Sequence, residues 1–368
     1  MSESNQGPEN RPRVIVVDAL RGFALLGICI VNLPLIARSW QSLMQAPATT
    51  GGRIGLFINS LFCEAKFFTL FSCLFGVGIH YLHRRESTAF LARRFFALIV
   101  FGFAHSVLLF SGDILLSYGI IGLLFLPLRR LHHRALLVAA VCCLLLGVFT
   151  YWLLGVLALA APTVPATNYS GAYAAVIRSN LAVYPVSLGY VLLFNWPGAL
   201  AMVCLGYLAA REHWLSRLRL NVFSTLFIAA GLAGSLLYAN AAVYQLKQLM
   251  PLAMVLMAAT APLFSVFYAQ TIFSLAALRP DSLLVTALTA AGRMSLTNYL
   301  LQSLIAGVLF HGYGFGLYDR LDHGGLILVS LAIFVFELLF SLLWLRFFQT
   351  GPVEWLLRSF SHLRSMPV

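Results

Sequence analysis

Long unbroken runs of apolar residues, separated by short stretches that carry arginine, dominate the pattern of this chain. Runs at 135–161, 222–243 and 326–345 each supply the roughly 20 apolar residues a helix needs to cross a hydrocarbon core. None alternates as a barrel strand would, so backbone hydrogen bonding in lipid predicts helices. About ten spans of conventional length follow, at 14–36, 64–82, 91–110, 114–131, 135–161, 196–210, 222–243, 252–275, 283–310 and 326–345. Upstream of the sixth, residues 173–194 read as a partly inserted or interfacial helix, with Tyr184-Pro185 and Trp196-Pro197 breaking the pattern. Residues 1–13 are polar and predict a disordered tail, and 14–345 form the bundle. In the tail at 346–368, Val353, Leu356, Leu357, Phe360 and Leu363 recur at helical spacing after Pro352, which predicts an amphipathic helix along the membrane surface.

Composition turns this pattern into a class. Of 368 residues 61% are hydrophobic and only 10% charged, with mean hydropathy +0.89, whereas a soluble domain carries about 25% charged residues. The fold class is therefore all-α, a polytopic membrane helix bundle. The net charge of +12 does not indicate nucleic acid, because the arginines are spread among short loops instead of forming one basic face. With the N-terminus inside, sixteen basic loop residues fall on the cytosolic side and five on the other, which places both termini in the cytosol. The six cysteines lie in or beside apolar runs without a CxxC pair, so neither a disulfide framework nor a metal site is expected. Ala46-Pro47-Ala48 resembles a signal-peptidase site, but the run before it contains Asp18 and Arg21 and reads as a retained first span. No phosphate-binding glycine loop, HExxH or GxSxG is present, and no internal repeat of the inverted-transporter kind is visible.

Candidate chemistry lies in polar residues at membrane depth, where an ionisable group is costly. The stretch FGFAHSVLLFSGDILLSY (101–118) places His105 in an apolar run and Asp113 at the turn that follows. Asp113 also suits the N-cap of the next helix, and His105 suits a packing role. The first span carries Asp18 and Arg21 at i, i+3, with Asn32 eleven residues beyond Arg21 on nearly the same face. Glu64 and Lys66 stand at the expected outer start of the second span, too close in sequence to face each other. In the ninth span Ser295, Asn298 and Gln302 form a polar stripe, with Arg293 further in. Asn32, Glu64, Lys66, His105, Asp113, Asn298 and Gln302 then map to one outer-half layer drawn from five spans, as a substrate cavity would need.

At these residues the chain resembles the YeiB family of bacterial inner-membrane proteins. The resemblance is carried by VDALRGFALLGICIVN (17–32), KFFTLFSCLFGVGI (66–79), GFAHSVLLFSGDILLSYGIIGL (102–123), WPGALAMVCLGYLAAR (196–211), GRMSLTNYLLQSLI (292–305) and GPVEWLLRSF (351–360). It implies a bacterial inner-membrane location and a C-terminal domain of unknown function over about residues 210–368. DALRG with the following VN is also similar to the first span of a wider group of transmembrane acyltransferases, among them heparan-glucosaminide N-acetyltransferases and bacterial sugar O-acetylases. That likeness implies transfer of an acyl group from cytosolic acyl-CoA, such as acetyl-CoA, to a small-molecule or envelope-glycan acceptor across the bilayer. Only Asp18, Arg21 and Asn32 match residue by residue, and loop 33–59 lacks the histidine that the N-acetyltransferases carry.

On the acyltransferase reading, His105 is the general base, oriented by Glu64 or Asp113, and Asn32 donates to the developing oxyanion. Asp18, Arg21, Lys66, Arg293, Asn298 and Gln302 are then binding residues. Arg84, Arg85, Arg93, Arg94 and Arg129 attract the CoA phosphates, or serve only as topology determinants. A transporter or channel, with Glu64, His105 and Asp113 as a relay, is the rival class, and a non-catalytic envelope scaffold is the third. The oligomeric state is left open, with a homodimer among the options.

Overall fold

The structure is a computed structural model that describes residues 11–159, 167–218 and 220–363. Most of the expected N-terminal tail and residues 364–368 therefore lie outside the described residues. Among those described there is no strand. The chain is an all-α bundle in which eight segments are long and apolar enough to cross a membrane. Three shorter apolar helices join them.

Helix α1 (Arg11–Ala37) runs from the arginine-rich face to the opposite, far face. A short α2 (Trp40–Leu43) follows. Where the sequence predicts an outer loop, α3 (Thr50–Ile58) forms instead and descends through a widened turn at Asn59–Cys63 into α4 (Lys66–His83). Asp322 fixes the start of α3, accepting from the Thr49 hydroxyl and from Gly325 N at 2.9 Å. Helices α5 (Thr88–Leu108) and α6 (Leu115–Leu128) make an antiparallel hairpin. Next come α7 (His133–Ala158) and α8 (Tyr173–Tyr190), the latter joined through a widened turn at Val191–Asn195 to α9 (Trp196–Arg211). The segment expected to be interfacial is thus the first half of a 39-residue apolar segment. Helices α10 (Val222–Val243) and α11 (Met250–Leu278) form a second hairpin. The expected ninth span is split at Met294 into α12 (Leu283–Arg293) and α13 (Ser295–Phe310). Helix α14 (His323–Phe347) returns to the arginine-rich face, and α15 (Pro352–His362) closes the chain.

The element order α1, α3–α4, α5, α6 recurs as α7, α8–α9, α10, α11. Each copy contains a helix interrupted by a five-residue widened turn, and both interrupted helices run in the same direction. The contacts are reciprocal: α3 packs on α10 and α8 on α5, while α4 packs on α11 and α9 on α6. Helices α4 and α9 meet at the centre, where a methyl on Gly76 would collide with the Val203 carbonyl and one on Gly206 with the Cys73 carbonyl. Small residues allow this backbone approach in lipid, where tight packing replaces the hydrophobic effect as the force between helices. The repetition escapes a sequence reading because the two copies share this anatomy but little residue identity. Two extra residues, Glu64 and Ala65, also offset the first copy.

Candidate functional site

The α5–α6 turn brings His105 and Asp113 together. The His105 ring Nδ1 lies 2.7 Å from Asp113 Oδ1, with the residues 3% and 5% exposed. Asp113 Oδ2 accepts from Leu116 N at 2.9 Å, so the same carboxylate caps α6 and holds the histidine. Tyr299 of α13 donates to Asp113 Oδ1 at 3.3 Å and stands with its ring 5.2 Å from the imidazole. His105 Nε2 is buried without a hydrogen-bond partner. A cavity of about 10 Å³ opens beside Asp113, between Ser106, Ser117 and the α8 residues Tyr184 and Ser187. It has room for about one water.

The expected orienter Glu64 is engaged elsewhere. Its Oε1 accepts from the Tyr238 hydroxyl of α10 at 2.7 Å. Glu64 and Lys66 do not mark the outer start of a span; they occupy the break between α3 and α4, partway through a 34-residue apolar segment. Ala65 between them has φ 63°, a left-handed conformation that ends one helix and starts the next. A break inside a bundle frees carbonyls that lipid cannot satisfy. Here Lys66 Nζ, on a residue 0% exposed, donates to the Ser60 carbonyl at 2.7 Å. Tyr268 donates to the Phe62 carbonyl at 2.7 Å, and Ser265 and Thr69 to that of Lys66 at 2.6 and 2.8 Å. Lys66 is a structural repair of the break.

Asn298 and Gln302 form a third cluster, separate from the histidine. Gln302 Nε2 donates to Glu337 Oε2 at 3.0 Å and to the Leu25 carbonyl at 3.2 Å. Asn298 Nδ2 donates to Ser341 Oγ at 2.9 Å. Glu337 is 0% exposed, and its Oε1 has no partner. Glu337 is not among the residues the sequence reading singles out, although an acid inside the run 326–345 is a plain signal. Helix α13 thus presents Tyr299 to the histidine and the adjoining stripe to Glu337.

Near the arginine-rich face Arg21 Nη1 pairs with Asp18 Oδ1 at 2.8 Å, as the i, i+3 spacing predicts. Arg293 donates to the Gln349 carbonyl at 2.9 Å. Asn32 is half-buried and hydrogen-bonds to none of the three clusters, so the expected single polar layer resolves into separate sites. Helix α15 is amphipathic as its spacing predicts, and its inner face, with Leu357 and Ser361 buried, docks on α5 and α13. Glu354 reaches into the α12–α13 break, accepting from Leu296 N at 2.6 Å, Thr297 N at 3.0 Å and the Thr297 hydroxyl at 2.5 Å. It caps α13 from a distant part of the chain.

A second buried histidine, His311, lies in the far-face loop after α13 and stacks on Tyr169 at 5.0 Å. Burial pushes its ring down to about 4, so at neutral pH it stays uncharged, as a packing residue does. No group of three or more His, Cys, Asp or Glu suited to hold a metal occurs among the described residues.

Residues 205–364 match a family described as a protein of unknown function, DUF418. An uncharacterized 39.9 kDa protein in the amylase 3′ region of Bacillus acidopullulyticus is 31% identical over 366 residues, covering 97% of this chain and 96% of that protein. The uncharacterized protein YeiB of Escherichia coli (strain K12) is 30% identical over 372 residues, covering 94% and 95%. The uncharacterized protein YxaH of Bacillus subtilis (strain 168) is 28% identical over 395 residues, covering 97% and 96%. No solved structure matches the chain.

Proposed function

The chain belongs to the YeiB family, and we propose that within it this protein is a membrane-embedded acyltransferase in the bacterial inner membrane, using acyl-CoA from the cytosol and an acceptor at the outer side. The observation that carries this is the His105–Asp113 pair, in which one ring nitrogen is held at 2.7 Å by a buried carboxylate and the other has no partner. That arrangement fits a general base, because the carboxylate fixes the tautomer and stabilises the charge the ring acquires. The donor supplies its acyl group as a thioester. His105 Nε2 takes the proton from the acceptor hydroxyl or amine as the acceptor bonds to the acyl carbon and the carbon–sulfur bond breaks. The proton then passes to the leaving thiolate. Tyr299, bonded to Asp113, keeps the dyad aligned from α13.

The arginine-rich face suits the donor's phosphates in charge. The cavity at Asp113, walled by Tyr184 and Ser187 of α8, admits no thioester as it stands, so acyl transfer requires the helices around His105 to part when substrates bind. The test is the His105→Ala protein in liposomes, supplied with radiolabelled acetyl-CoA on the cytosolic side. Expected is loss of transfer with acetyl-CoA binding retained. A folded His105→Ala protein that transfers at the normal rate overturns the assignment.

A transporter is the second reading, favoured by the interrupted segments that carry Glu64 and adjoin Glu337 within the bundle, as ion and substrate sites of transporters do. Proton-coupled flux in liposomes, abolished by Glu64→Gln or Glu337→Gln and unaffected by His105→Ala, would favour it over acyl transfer.

A further inference from the structure

At the arginine-rich end, the last turns of α4, α6 and α9 converge on the ring of Tyr207. His80 packs against that ring at 5.3 Å and Phe125 at 5.1 Å, and the Arg211 guanidinium lies 5.9 Å above it. The charge of Arg129 bears on both Tyr207 and His83, and His80 lies within the fields of Arg84, His83, Arg211 and His213. The acids nearby are already engaged. Glu212 accepts from Arg211 at 3.1 Å, and Glu86 faces His362 at 3.9 Å.

Arg129 makes this more than a set of topology-determining charges. The residue is 6% exposed, and its single hydrogen bond runs from Nη2 to the Thr88 hydroxyl at 2.6 Å, while Nε and Nη1 are buried with no partner. Thr88 is the first residue of α5, a 21-residue helix capped by Ser87. Two unmet guanidinium donors thus sit at a helix N-terminus, where backbone N–H groups and the helix dipole also favour negative charge. A buried cation with unmet donors is costly, and the free Nε–H and Nη1–H, which point to different sides of the guanidinium, can each donate to an oxygen of a bound anion. His80 Nδ1 and His83 Nδ1 are likewise buried without a partner. Arg84 and Arg130, both exposed, stand just past the ends of α4 and α6 on this same face.

We infer that the α4–α6–α9 collar is a binding site for a phosphate group, with Arg129 as its floor, His80 and His83 on one wall, Arg211 on the other and the α5 N-terminus facing the anion. A carboxylate would balance Arg129 and leave the neighbouring Arg84 and Arg130 uncompensated, whereas a phosphate ester or pyrophosphate brings two or more negative charges and several acceptors. The phosphate comes from a soluble nucleotide-type ligand or from a lipid headgroup, since both reach this face. The site does not depend on acyl transfer, because no residue of the His105 cluster takes part in it.

The experiment uses the full chain in phosphatidylcholine nanodiscs, titrated calorimetrically with inorganic pyrophosphate. Native mass spectrometry of protein from phosphatidylglycerol-containing discs forms the second arm. Expected for a soluble-ligand site is pyrophosphate binding that weakens about tenfold or more in Arg129→Ala. It stays unchanged in His105→Ala and in Arg279→Ala, a control outside the collar. For a lipid site, phosphatidylglycerol is retained by the native chain and lost by Arg129→Ala, without pyrophosphate binding. Should Arg129→Ala fail to fold, Arg129→Lys, which keeps the charge but loses the planar fork, and His83→Gln give the same readout with smaller losses. Folded variants that bind pyrophosphate and retain phosphatidylglycerol as the native chain does, or a native chain that does neither, overturn the inference. Loss of acyl transfer alone, with pyrophosphate binding intact, would leave this site standing and remove only the His105 assignment.

Discussion

Asp113 serves two partners, and they are separable by substitution. Asp113→Asn keeps an acceptor for Leu116 N but loses the charge that steadies the imidazole. We expect near-normal melting with acyl transfer reduced about a hundredfold or more. Asp113→Ala removes the helix cap as well and should cost about 1 kcal/mol of stability in addition. A matched melting temperature and transfer rate for the two variants would contradict the double role. The proximity of His105 to Asp113 was legible because they flank a single turn, eight residues apart. That Asp113 and not Glu64 orients the ring was not legible, since it depends on α10 placing Tyr238 against Glu64. Tyr299 was hidden for the same reason: it lies in SLTNYLLQ beside two polar residues that face the other way.

Interruptions set the character of individual elements. A span broken at Met294 leaves backbone N–H groups at the start of α13, and Glu354 satisfies them from 57 residues away. Glu354→Gln retains one acceptor and loses the charge, so α15 should undock more readily by about 1 kcal/mol. Hydrogen exchange of α15 amides measures this directly, and unchanged protection would argue against the cap. At the α4–α9 crossing, Gly206→Ala should destabilise by about 1–3 kcal/mol, because the added methyl meets the Cys73 backbone, which cannot yield as a side chain would. Gly189, with open space around it, is the matched control. At the far face, the Thr49 hydroxyl and the Gly325 N–H hold the Asp322 carboxyl below its usual range. A depressed folded value means that its contribution to stability is present above the unfolded pKa and lost as pH falls through the folded one. Asp322→Asn should therefore flatten the acid limb of the melting profile, read as Tm against pH below about 4.

For the whole molecule, the arginine asymmetry and the direction of each helix together predict cytosolic termini. Reporter fusions at Val368 and in the loop preceding α8 should report opposite sides of the membrane. Finding both on one side would overturn the sidedness and, with it, the proposed direction of acyl transfer. The repeated order of elements gives two interrupted segments, Thr50–His83 and Tyr173–Arg211, that cross at the bundle centre. The collar proposed to bind phosphate lies where α4 and α9 end together with α6. The His105–Asp113 pair lies toward the opposite end of α5, so α5 joins the two proposed sites through its N-terminus and its last turn.

Class, helicity, the limits of most spans and the expected sidedness are properties of local composition. Lipid forces every backbone group into a helix, and a run of about 20 apolar residues has one economical conformation there. The sequence alone therefore determined an all-α membrane bundle and the histidine–aspartate turn within it. Which way each polar side chain faces depends on the azimuth of its helix, and azimuth is decided by packing against elements far away in the chain. Only the tertiary structure could send Glu64 to Tyr238, Gln302 to Glu337 and Glu354 to the start of α13. The widened turn at Asn59–Cys63 was likewise unreadable, because its freed carbonyls are tolerated only where Tyr268 and Lys66 arrive to satisfy them.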